Sequence, residues 1–106
     1  MTTILTYQPE SPNGAFCMAI KALRGKLSDP SATPKDIADG FVKVLELLET
    51  VPVESTVHSA ARAAVMAGFR AVGREFLDGN TGMGIRRGAA KDIDLHAKKV
   101  LLYAWV

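Results

Sequence analysis

Apolar residues recur at helical spacing in four stretches of this chain, and the richest is ESTVHSAARAAVMAGFRAVGREFL at 54–77. At about 100° per residue, a helix here has three chemically different sides. Val57, Ala61, Val65, Phe69, Val72 and Phe76 share a bulky apolar sector. Ala60, Ala64, Ala67 and Ala71 form a small-residue strip beside it, with Gly68 near the border, and Arg62, Met66, Arg70 and Arg74 lie opposite. A bulky face adjoining a smooth one can bury against two partners, so this segment is expected to be the long central helix of the fold.

Two shorter helices are expected before it. The first runs from Gly14 to Leu27 with Phe16, Ile20, Leu23 and Leu27 at helical spacing, and SDPSATP at 28–34 ends it. The second has the clearest start signal in the chain: Thr33 as cap, Pro34 at the first helical position and Asp36 near the positive end of the helix dipole. Its stripe is Ile37, Phe41, Val44, Leu45 and Leu48, with Lys35, Asp39, Lys43, Glu46 and Glu49 on the wet side. Asp39 and Lys43 stand in the favourable i,i+4 order. Pro52 forces the break that follows.

After Leu77 the run DGNTGMGIRRG at 78–88 carries four glycines, each costing about 1 kcal/mol relative to alanine in a helix, and is expected to be a loop. A last helix is expected from Ala89 to Ala104, with Ile93, Ala97, Val100, Leu101 and Ala104 on one face. The alternative for the chain ends is a short two-stranded ribbon, because TILTY at 3–7 and VLLYAWV at 100–106 both have strand character. The expected architecture is a single all-α domain over 1–106, a compact four-helix arrangement around residues 54–77.

Composition narrows the class of protein. The chain has 106 residues, 48% hydrophobic and 23% charged, the balance of a globule that buries a core. One cysteine, Cys17, leaves no intrachain disulfide and fits a reducing cytoplasm. The N-terminal MTTILTYQPESP has no basic flank and no long apolar run, so no secretory leader is expected, and no apolar run is long enough for a membrane span. The net charge is +2, unevenly spread: residues 1–53 carry five basic and six acidic side chains, residues 54–106 eight and five.

Candidate chemistry is sparse. A phosphate loop needs lysine and a hydroxyl after its last glycine, whereas Gly84 is followed by Ile85 and Arg86. Incidental anion contact by Arg86 and Arg87 beside the next helix start is the more economical reading of that segment. Cys17, His58 and His96 fall on three different helices, His58 reads as a satisfied, half-buried histidine, and no pair has zinc-ligand spacing. Neither catalytic residues, nor a metal, nor a cofactor is expected.

The function expected from these residues is a small non-enzymatic helical interaction protein: a regulator, adaptor or inhibitor acting by protein–protein contact and associating with itself. Small size without a chemical motif is the profile of regulators from phages or mobile elements, an analogy only. The candidate contact residues for a protein or an anion are Arg62, Arg70, Arg74, Arg86, Arg87 and Lys91. Val42, Leu47 and Val51, outside the main seam of the second helix, join Tyr103 and Trp105 as hydrophobic interface candidates. The alternative is a nucleic-acid-binding module using the basic surface of residues 62–99.

Overall fold

The computed structural model describes residues 12–79 and 82–105, with side chains described through residue 101. It has four helices: α1 (Pro12–Ser28), α2 (Pro34–Leu48), α3 (Thr56–Leu77) and α4 (Met83–Trp105). No strand occurs among the described residues. The ribbon is therefore not formed by residues 100–105, which are helical, while its other half at 3–7 lies outside the described residues.

Each helix packs on two others: α1 on α2 and α4, and α3 on α2 and α4, which closes a ring of four. Late α1 meets early α2, the end of α2 meets early α3, early α3 meets late α4, and the turn after α1 meets early α4 through Arg86. Lys26 donates to the Asp36 carbonyl, Arg62 to that of Glu49, His58 meets Val100, and Arg24 meets Asp94. The result is an antiparallel up-and-down bundle joined by short connections.

Local chemistry accounts for the helix starts. Thr33 caps α2 in a reciprocal box: the Asp36 N–H donates to Thr33 Oγ1 and the Thr33 N–H to the Asp36 carboxylate, both at 3.1 Å. These bonds from Thr33, with smaller help from Lys26 and Lys35, hold the Asp36 carboxyl below the usual aspartate range. Ser55 caps α3 by accepting from the His58 N–H. Asp39 pairs with Lys35 at 3.5 Å instead of with Lys43.

The expected glycine loop is shorter than its composition suggests. Helix α4 begins at Met83 and includes Gly84 and Gly88. The cost of those glycines is offset by docking: Arg86, Ala89 and Ile93 are buried, and the Arg86 guanidinium is anchored on the turn between α1 and α2.

The core is continuous across all four helices. Phe16, Leu23, Ile37, Val44, Leu48, Ile93 and Val100 are all buried within it. Between α2 and α3, Phe41 stacks on Phe76 at 5.9 Å between centroids and meets Phe69 edge-on at 6.4 Å. Fully burying one such ring contributes about 2–3 kcal/mol. Gly73 permits the close approach, because a β-carbon there would lie 3.1 Å from Phe41 Cβ.

Helix α3 is unbroken and its phenylalanines are inside, but its inward face is rotated from the expected one. His58, Val65, Met66, Phe69, Gly73 and Phe76 are buried, whereas Val57 is 63% exposed. Met66, expected on the outside with the arginines, is in the core because α2 packs on that side. Ala60, Ala64, Ala67 and Ala71 are exposed, so the smooth strip does not serve as a packing face among the described residues.

Candidate interaction surface

The arginines expected on one outer surface go to different places. Arg86 is 5% exposed and donates to the carbonyls of Asp29 at 2.6 Å and Ala32 at 2.9 Å. It thereby ties α4 to the α1–α2 turn, which removes it from the contact surface proposed for it. The same guanidinium contributes to holding Asp29 below the usual aspartate range, after the two hydrogen bonds from Ser31. Arg62 is half-buried and donates to the carbonyls of Glu49 and Val51 at 3.1 and 2.9 Å. Those carbonyls, at and just beyond the C-terminal end of α2, lack helical partners, so Arg62 completes the end of that helix. Both side chains do structural work that their spacing on a helix could not reveal.

The remaining candidates stay outside. Arg70 and Arg74 are exposed, and their guanidinium groups hold no hydrogen bond or ion pair among the described residues. Arg87 and Lys91 are exposed on α4, one turn apart, beside Leu27 and Met83. Farther along that face Asp94 bridges Lys98 and Arg24, each at 3.4 Å, which interrupts the basic row.

The hydrophobic candidates also divide. Val51 is fully buried and belongs to the core, because the chain turns inward after α2. Leu47 is half-buried against the core, and Val42 is 52% exposed. The side chains of Tyr103 and Trp105 lie outside the described residues.

Three of the exposed candidates, Val42, Arg70 and Arg74, converge at one place, a groove of about 300 Å³ between α2 and α3. Its floor is Phe41, Phe69 and Gly73, one wall is Val42 and Leu45 of α2, and the other is Arg70, Arg74 and Leu77 of α3. Leu77 is 67% exposed, the most exposed of the large apolar side chains described. No acidic residue lines the groove. The arrangement offers an apolar trough with two guanidinium groups on one rim, suited to holding a side-chain row and counter-charging it. Sequence reading named Val42, Arg70 and Arg74 but placed them on separate surfaces, and it missed Leu77 as a contact residue. An apolar last residue of a helix was the available signal.

The titratable groups are dispersed. His58 is fully buried, with Nδ1 accepting from the Glu54 N–H at 3.2 Å and Nε2 3.2 Å from the Val100 carbonyl. With Nδ1 an acceptor, the ring proton sits on Nε2 and donates to Val100, joining α3 to α4. His96 lies edge-on to Phe69 at 6.1 Å. Burial pushes the Cys17 thiol up, against the opposing charge of Lys21, so the thiol stays protonated near neutrality. Among the described residues no three His, Cys, Asp or Glu side chains gather as a metal-holding group. No described helix is long and apolar enough to cross a membrane.

The fold and the surface together define an antiparallel four-helix bundle with a basic-rimmed apolar groove between α2 and α3. No family model, curated protein or solved structure matches the chain.

Proposed function

We propose that this protein is a small non-enzymatic interaction module that acts by protein–protein contact and associates with copies of itself. The observation that carries the reading is the pairing of Val42 and Leu77, more than half exposed, across a groove floored by phenylalanine rings. Exposed apolar side chains that are contiguous with a concavity are the pattern of a recognition surface, unlike single scattered ones. Self-association draws support from α3. From Val57 to Ala71 its outward face, with Ala60, Ala64 and Ala67, carries no charge, because Arg62 and Arg70 both point to the α2 side. A smooth uncharged face lets a second backbone approach closely.

The nucleic-acid reading draws less support, since Arg62 and Arg86 are committed to main-chain carbonyls and Asp94 splits the α4 row. Sedimentation velocity tests the preferred reading. A species larger than monomer at about 50 μM, persisting in moderate salt, supports self-association, and monomer alone rejects it. Retention on a polyanion column that declines steeply with salt and with Arg70→Ala/Arg74→Ala/Arg87→Ala would favour the nucleic-acid reading instead.

A further inference from the structure

We infer that the α2–α3 groove binds an acidic amphipathic helix of another protein; the inference rests on the protein-contact reading above and names the partner chemistry. Three observations specify the occupant. The first is polarity. The trough is apolar along its floor and its α2 wall, while the only charges lining it are Arg70 and Arg74, both cationic and both without an intramolecular partner among the described residues. Carboxylates are the groups that complete such a rim, and arginine binds them in a fixed two-pronged geometry.

The second is length. The groove residues span Ala38 to Leu45 on α2 and Phe69 to Leu77 on α3. At 1.5 Å per residue that is about 10–12 Å, two turns of helix. An occupant helix would therefore anchor through apolar residues at i, i+4 and i+7, with acids beside them on the side facing α3.

The third is shape. Two copies of a chain related by a twofold axis present the same patch to each other, so a concave patch faces a concave patch and neither fills the other. Filling the trough with a second copy would need a different surface of that copy, a head-to-tail contact that propagates into open chains. A separate helical segment has no such difficulty. Self-association, where it occurs, belongs to another face.

The test uses the full chain and two fluorescein-labelled peptides of about 16 residues, both with leucine at i, i+4 and i+7. One carries glutamate on its polar flanks and the other lysine. Fluorescence anisotropy is expected to give micromolar binding for the glutamate peptide and at least about tenfold weaker binding for the lysine peptide. Arg70→Ala/Arg74→Ala should weaken the glutamate peptide by about tenfold or more, and Leu77→Glu should also weaken it. Arg87→Ala/Lys91→Ala, on a different face, should leave it unchanged. Equal binding of both peptides, or an equal loss in the α4 variant, overturns the proposal. So does a change in the protein's own association state caused by Arg70→Ala/Arg74→Ala without peptide, which would assign the groove to a second copy. If neither peptide binds while the chain still self-associates, the groove assignment fails and the protein-contact reading stands. If neither binds and the chain is monomeric, both fail.

Discussion

Gly73 of α3 lies directly against Phe41 of α2: a β-carbon at position 73 would meet Phe41 Cβ at 3.1 Å and Cγ at 3.2 Å. Phe41 has little room to yield, because Phe76 stacks on one side of its ring and Phe69 meets it edge-on. The pair sets the spacing of α2 and α3, and with it the depth of the groove.

A first prediction separates this packing constraint from helix propensity. Alanine is favoured over glycine in a helix interior by about 1 kcal/mol. At Gly68 a β-carbon would meet nothing within 4 Å, so Gly68→Ala should raise the melting temperature. Gly73→Ala should lower it, with an overpacking cost of about 1–3 kcal/mol outweighing the propensity gain. Thermal denaturation of the two variants side by side checks the sign of each.

Arg86 and Arg87 are neighbours in sequence with opposite duties. Removing the Arg86 guanidinium leaves the Asp29 and Ala32 carbonyls without their donor and empties a buried position. Arg86→Ala should cost about 2–4 kcal/mol, whereas Arg87→Ala, at an exposed position, should stay within about 0.5 kcal/mol of the parent. Chemical denaturation measures both. Similar stabilities for the two variants would contradict the anchoring role.

The α2 cap gives a pH signature. Thr33→Ala should cost about 1 kcal/mol at neutral pH. The Asp36 carboxyl is held low in the folded state by its bonds to Thr33, so its contribution is fully present above the ordinary aspartate range. That contribution is lost as pH falls through the lowered value. The stability gap between the parent and Thr33→Ala should therefore be constant from neutrality down to about pH 5 and narrow below about pH 4. A gap independent of pH would mean that the carboxylate takes no part in the cap. Denaturation midpoints across that range decide it.

What the amino-acid pattern conveyed about the fold depended on how local the relevant physics was. Helix α2 was legible from end to end because Thr33, Pro34, Asp36 and Pro52 act within a turn of themselves. Helix α3 was legible as an element but not in its orientation. Periodicity says which residues share a side, not which side a neighbour occupies, so Val57 and the alanines emerged outside and Met66 inside. The start of α4 was misplaced because glycine cost is local while the Arg86 anchor spans more than fifty residues of sequence. The same blindness to long-range hydrogen bonds placed Arg62 and Arg86 on a contact surface. A third of the groove lining, Val42, Arg70 and Arg74, was named as contact residues, but its assembly depends on the Gly73–Phe41 approach, which no spacing rule encodes.

The most direct test of the groove as the working surface is an amide NMR titration of the full chain with the glutamate-bearing amphipathic peptide. Shift changes concentrated in residues 38–45 and 69–77 are the predicted result. Changes confined to the outer face of α3 at 57–67 or to α4, or none at saturating peptide, would contradict the account.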